Sequence, residues 1–478
     1  MSGFIVGADR NQATLFPERL DDFVAEESAT RVIDFFVDEI DLSGLGFKAE
    51  PADTGRPGYH PATMLKLFIY GYMNRVASSR RLEQEAQRNV ELMWLTGRLA
   101  PVFKTIAGFR KDNGEAIRLV CREFVMLCRK FDLFKDAFVA IDGSKFKAVN
   151  SRDRNFTKAK LKRRLEQIDE SIERYLTEME SVDRQESEVS EDKTQRLQDK
   201  IEKLKGEIGR LKKLEVELLA SPDQQISLTD PDARSMATSG RGSGVVGYNV
   251  QAAVDTKHHL IVSHEVTNVG HDRGQLSPMA EQAKEAMGAK KIEAVADRGY
   301  FNGEQIKACD EAQITTYLPR PKTSNNRAKG LYDKQDFIYK PDDDEYECPA
   351  GERLTKRTTT EQDGMILYRY WSSLCGQCAL KSECTTGKER RVTRWQHEEV
   401  IEKLQARLDK HPEVMRIRRQ TVEHPFGTIK EWMGSQHFKT KTLKGVSTEM
   451  SLHVLAYNLK RAISLFGVVG LISMMQTA

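Results

Sequence analysis

KIEAVADRGY, residues 291–300, is the stretch on which the reading of the fold turns. Ile292, Ala294, Val295 and Ala296 form a short, nearly continuous apolar run, the pattern of a parallel strand buried on both faces. Asp297 closes it, and Arg298 and Gly299 turn the chain toward Phe301, Asn302, Gly303 and a helix. Open α/β sheets place their chemistry beyond the carboxyl ends of such strands. A single Asp there also has an ordinary use as a helix N-cap. The rest of the chain separates the two uses. An upstream strand, AFVAI at 137–141, runs into Asp142, Gly143 and Ser144, and far downstream Glu423 sits in a helical segment.

Working outward from Asp297, residues 245–254 alternate as a strand, 255–258 turn and 260–266 return, which makes a hairpin. Residues 276–287 read as a helix, 302–312 as a second, and 314–319 as a further strand. Strand, two-strand hairpin, helix, strand, helix, strand is the element order of an RNase-H-like α/β core. That order puts the two strand-end aspartates on adjacent central strands. We assign the core to residues 136–160 and 221–321, completed by the Glu423 helix in 397–444. The glycine-rich SGRGSG at 239–244 lacks the lysine of a phosphate-binding loop and reads as a hinge.

Two insertions interrupt this rhythm. In 161–220, Leu161, Leu165, Ile168, Ile172, Tyr175, Met179 and Val182 follow a heptad, and Leu197, Ile201, Leu204, Ile208, Leu211 and Leu218 form a second stripe. With the polar link at 183–195, they predict an antiparallel coiled-coil hairpin, with pairing between two chains as the rival. Residues 322–396 carry Cys348, the pair Cys375 and Cys378, and Cys384. Thiolate ligands for tetrahedral zinc come in close pairs, so a structural Zn2+ site in a small β lobe is expected. Reduced loop cysteines and a redox or iron–sulfur site are the other readings.

Residues 1–60 are broken by Pro17, Pro51 and Pro57 and read as an N-terminal arm. Residues 61–135 are helical, and Arg80, Arg81, Arg88, Arg98 and Arg110 fit either a helix-turn-helix-like DNA reader or a plain bundle. Cys121 and Cys128 share the apolar face of a helix from about 115 to 131 and read as core. Residues 445–478 predict a C-terminal helix packed on the body, since GVVGLISMM is too short to span a bilayer. The start of the chain lacks a secretory pattern and the seven cysteines form no disulfide framework, so a cytoplasmic protein is expected. The net charge of +3 is less telling than its distribution. Residues 145–164 hold nine basic side chains against Asp153 alone, a footprint of phosphate-backbone binding or a solvated face. In the last helical region Arg416, Arg419, Glu423 and Lys430 fall near one helical face, although Pro425 must kink it.

Jointly, RRLEQEAQRNVELMWLTG, FKTIAGFRKDN, AIDGSKFKA, TDPDAR, GYNVQAAVD, VADRGYFNG and RRQTVEHPFGTIK resemble the bacterial insertion-sequence transposases of the DDE superfamily from about residue 13 onward. The similarity is greatest to the branch with a helical N-terminal domain and a cysteine-bearing insertion before the last acidic residue. The resemblance implies that Asp142, Asp297 and Glu423 form a metal-binding triad for two Mg2+ or Mn2+ ions. Three carboxylates can hold two such ions about 3.5–4 Å apart and leave room for water and phosphate oxygens. Asp142 is expected to bridge both ions, with Asp297 and Glu423 holding one each. Water would cut at the element's ends, and the freed 3′-hydroxyl would attack target DNA. Arg419, Glu423 and Lys430 match the family's tyrosine–arginine–glutamate–lysine signature, while Arg416 stands at the tyrosine position and leaves its grip on DNA open. Arg416, Arg419, Lys430, Lys145 and Lys147 are the expected backbone contacts. The helical N-terminal domain would read the terminal inverted repeats, and pairing of two ends implies a homodimer on DNA. A repeat-binding protein that does not cut, and a nuclease that only hydrolyses, are the competing functions.

Overall fold

The computed structural model describes residues 19–50, 57–150, 154–183, 188–221, 223–237, 244–321, 324–362 and 364–477. Nearly all of the expected hinge at 239–244 lies outside them.

The N-terminal part is helical: α1 (Ala29–Glu39), α2 (Pro61–Met73), α3 (Ser79–Arg88), α4 (Val90–Thr96), α5 (Phe103–Asp112) and α6 (Gly114–Lys130). A helix that is apolar all round belongs inside, and residues 64–73 of α2 are all buried. Its one charge, Lys66, is met by Asp34 and Asp38 of α1 at 2.6 and 2.7 Å. The segment expected as an arm thus supplies a core helix. Ser28 caps α1 by accepting from Thr30 N–H at 3.2 Å, and Val32, Ile33, Phe36 and Val37 are buried. Their spacing is an amphipathic pattern legible in the sequence.

The sheet begins with β1 (Phe138–Lys147). After it come β2 (Asn155–Thr157), the long helices α7 (Lys158–Asp183) and α8 (Glu188–Ala220), then β3 (Gln225–Ser227), β4 (Arg234–Met236), β5 (Val245–Asp255) and β6 (Ile261–Thr267). α9 (Leu276–Met287), β7 (Ile292–Val295), α10 (Gly303–Glu311) and β8 (Ile314–Tyr317) complete it. β1 lies between β5, antiparallel to it, and β7, parallel to it; β8 runs parallel outside β7, and β4 and β6 both pair with β5. This mixed α/β arrangement is consistent with an RNase-H-like core.

α7 and α8 leave the sheet region at β2 and return at β3, and the two short strands pair at their base. Leu161 and Ile168 pack with Leu211 and Leu214, and Arg164 pairs with Glu207 at 3.0 Å. Helix occupies much of the stretch expected as a polar link, since α8 starts at Glu188. The second insertion is a five-stranded antiparallel lobe of β9 (Ile338–Lys340), β10 (Glu345–Glu347), β11 (Arg353–Gln362), β12 (Met365–Trp371) and β13 (Val392–Trp395), with the short α11 (Lys381–Cys384). Its core is small: Phe337, Tyr346, Leu354, Tyr370 and Val392.

α12 (Glu398–Lys410) and α13 (Val414–Gly427) follow, and α13 continues as a π-helical turn, Thr428–Trp432. Pro425 lies inside α13, and the π turn begins three residues later. α14 (Leu443–Gln476) is long and apolar enough to cross a membrane by length and composition alone. Its first half is instead buried in the protein against α2, α6 and β6. Asn458 there donates to Ile261 O at 2.8 Å and accepts from Ile261 N at 2.9 Å, so a side chain completes the outer edge of β6. One continuous core runs from Val32 through the sheet to Met475. The helical segment is therefore fused to the sheet rather than packed separately.

Candidate active site

The parallel pairing of β1 with β7 ends at Ala140 opposite Val295. Asp142 and Asp297 each stand two residues further on, at one level of neighbouring strands and on one face. β7 stops there, Asp297 accepts from Gly299 N–H at 2.7 Å, and the chain turns through Arg298–Tyr300. Asp297 is thus an N-cap whose carboxylate also stands beside Asp142. β1 does not stop at Asp142 as its Asp-Gly-Ser sequence suggests. Its ladder with β5 carries it on, with Asp142 opposite Ala252 and Lys147 opposite Gly247.

A guanidinium stands at the two carboxylates. Arg418 Nη2 of α13 lies 2.6 Å from Asp142 Oδ1 and 3.7 Å from Asp297 Oδ2. Arg418 belongs to the buried stripe of α13 that includes Val414, Thr421, Val422 and Pro425, and its side chain is 15% exposed. Burial pushes the Asp142 carboxyl up to about 6; Arg418 opposes this, and the charges of Asp297 and Asp272 add to it.

Asp272, in the loop before α9, is a further carboxylate here. Its Oδ1 accepts from Asn249 Nδ2 at 2.8 Å and from Gln251 Nε2 at 2.7 Å. Gln251 Oε1 in turn accepts from the buried hydroxyl of Tyr300. The network fills the space over Gly143, where a Cβ would lie 2.4 Å from Gln251 Nε2 and 2.7 Å from Asp272 Oδ1. A side chain at position 143 would therefore displace these amide and carboxylate ends from their places beside Asp142. Burial and the surrounding carboxylates hold the Tyr300 hydroxyl well above its usual range, keeping it a donor. Neither Asp272 nor Arg418 was singled out by sequence reasoning.

The other expected residues divide. Lys430 reaches the site's edge, donating to Ser144 Oγ at 2.6 Å and to Lys145 O at 3.0 Å over the Phe146 ring. Lys145 Nζ donates to Ala237 O, and Lys147 is exposed. Arg416, Arg419 and Glu423 are exposed on the side of α13 away from its buried stripe. Glu423 has no hydrogen bond or ion pair among the described residues. Asp142 and Asp297 are brought together; Glu423 is not brought to them. Among the described residues no three His, Cys, Asp or Glu side chains stand close enough to hold a metal ion.

Cys348, Cys375, Cys378 and Cys384 are free thiols, and all four line one cavity of about 30 Å³ in the β lobe. Burial raises the Cys384 thiol above its ordinary range; Arg390 opposes this, and the other three sulfurs add to it. Cys121 and Cys128 are buried in α6, as expected of core residues.

Residues 222–459 match the family described as Transposase DDE domain, and residues 18–112 match that described as Transposase domain (DUF772). No curated protein and no solved structure matches the chain. Asp142 falls in neither matched stretch; strand pairing is what places it beside Asp297.

Proposed function

The chain belongs to the DDE transposases, enzymes that act on DNA, and from that premise we propose that it cuts the inverted-repeat ends of its own mobile element and joins them to target DNA. The observation that supports this most is the placement of Asp142 and Asp297 at one level beyond paired parallel strands, with Arg418 as their counter-charge. Asp142 and Asp297 face the Arg418 guanidinium, with Asp272 beside them on Asn249 and Gln251 and Lys430 at the edge, so three carboxylates meet two cations. Carboxylate oxygens are the donor chemistry of a hard divalent cation, and two of these carboxylates, Asp142 and Asp297, already share one cationic group.

Asp142 and Asp297 would hold Mg2+ or Mn2+, and Glu423, which faces away from them here, would complete the set once α13 turns about its axis. Two such ions, when bound, supply an activated oxygen nucleophile and neutralise the leaving oxygen. The chain does the rest by positioning. Lys430, Arg419 and Arg416 lie along one helix and hold backbone phosphates without reading bases. The Asp272–Gln251–Tyr300 network fixes the gap between the two strand ends. The helices of residues 18–112 would read the repeats, and two chains would join on DNA to pair two ends. The four cysteines, once their side chains turn into the shared cavity, would hold a structural Zn2+ that stabilises a lobe with few core residues.

The test is strand cleavage and joining on DNA carrying the genomic ends that flank the coding region, with and without Mg2+. Asp142→Asn, Asp297→Asn and Glu423→Gln should each abolish both products while end binding persists. Cutting retained in any of them defeats the assignment, and cutting without joining would make the protein a nuclease.

A further inference from the structure

Arg418 lies where a cation shared by Asp142 and Asp297 would have to lie. Its Nη2 is 2.6 Å from one carboxylate and 3.7 Å from the other. A divalent ion needs oxygens at about 2.0–2.1 Å, and a guanidinium already hydrogen-bonded to those oxygens both blocks the approach and repels the charge. The rest of Arg418 is poorly satisfied in this position. Its Nε is buried and has no hydrogen-bond partner, a state that costs free energy unless something else holds the side chain in place. What holds it is the pair of carboxylates.

We propose that Arg418 is the exchangeable counter-cation of the site: it keeps Asp142 and Asp297 together while no metal is bound, and gives up its place to the divalent ion. The inference rests on the reading that these two aspartates bind metal. It explains how two carboxylates, one of them largely buried, tolerate each other at neutral pH before an ion arrives. It also explains why an arginine interrupts the otherwise uncharged buried stripe of α13.

The experiment is calorimetric titration of the full-length, DNA-free protein with Mn2+, comparing wild type, Arg418→Gln, Arg418→Lys and Asp142→Asn. Removing a competing charged hydrogen bond should tighten Mn2+ binding by ~10- to 100-fold in Arg418→Gln. Arg418→Lys, which keeps the charge but loses the fork, should fall between. Arg418→Gln binding Mn2+ as wild type does, or more weakly, overturns the proposal, because a permanent clamp predicts that sign. If Asp142→Asn binds Mn2+ like wild type, the metal-site reading itself fails, which is a different result. The unmutated protein gives a second readout that does not depend on how a variant folds. Phenylglyoxal labelling of Arg418, mapped by mass spectrometry, should rise when Mg2+ is added; unchanged or reduced labelling counts against exchange.

Discussion

Asp142→Asn should make the metal-free protein more stable while destroying its activity. The carboxyl has its pKa pushed from an ordinary 3.8 to about 6, with burial the largest cause. At neutral pH its ionisation in the fold therefore costs at most about 3 kcal/mol, at 1.36 kcal/mol for each pKa unit. The sign follows from proton counting. The folded state binds more protons than the unfolded state between pH 3.8 and about 6, so this penalty is absent below the window, grows through it and is complete above. Asparagine carries no charge and escapes it at every pH. Some of the gain is lost because Arg418 keeps only its 3.7 Å contact with Asp297. For a chain of 478 residues that unfolds cooperatively, about 3 kcal/mol is about 3 °C in Tm. Thermal and urea unfolding in EDTA at pH 7.5 and pH 5 measure it. The variant should lead at pH 7.5 and lose about half of that lead at pH 5, since pH 5 lies midway in the window between 3.8 and about 6. Added Mg2+ should raise the wild type alone, since binding to the folded state stabilises it. A variant less stable than wild type at pH 7.5, or a difference that ignores pH, would refute the reasoning.

Three other outcomes are expected. His264 and His453 are held neutral by burial, with pKa values lowered to about 4 and about 3. Their contribution is therefore intact above the ordinary histidine value and lost as pH falls below 6.5, opposite in sign to Asp142. His453→Gln should flatten the fall in unfolding midpoint between pH 6.5 and 5, and an unchanged slope contradicts this. Asp272→Ala removes the acceptor of the Gln251 amide and one of the two acceptors of the Asn249 amide, which keeps Val269 O at 3.3 Å, and should cost about 1–3 kcal/mol in stability. It should also weaken Mn2+ binding measured without DNA, whereas a change in stability alone would make Asp272 purely structural. Purified protein should carry one Zn2+ per chain by elemental analysis, released in step with thiol titration of Cys348, Cys375, Cys378 and Cys384, and absence of zinc from protein refolded with it removes the metal reading of the lobe.

The legible parts of the fold were those whose signal is local. The apolar run ahead of Asp297 and the alternation at 245–254 correspond to β7 and β5 almost residue for residue. The end of β1 is not legible locally, because Asp142, Gly143 and Ser144 are turn formers and only the ladder with a strand a hundred residues away keeps them extended. The prolines around α1 mask it in the sequence, although Val32, Ile33, Phe36 and Val37 mark its buried face. Arg418 lies outside the spacing of Arg416, Arg419, Glu423 and Lys430, and Lys430 itself leaves the exposed face of the other three to reach Ser144. A charge at the i+4 position from Val414, in the stripe continued by Thr421 and Pro425, was the available clue. Asp272 had none: it sits in a loop, and only tertiary packing carries it to Gln251.

The central claim is that Asp142, Asp297 and Glu423 ligate the ions that drive strand cleavage. It is tested most directly by replacing each with cysteine and assaying cleavage in Mg2+ and in Mn2+, because a thiolate accepts the softer ion better. The account predicts three proteins inert in Mg2+ that recover cleavage in Mn2+. A Glu423→Cys protein that cuts normally in Mg2+ would contradict it.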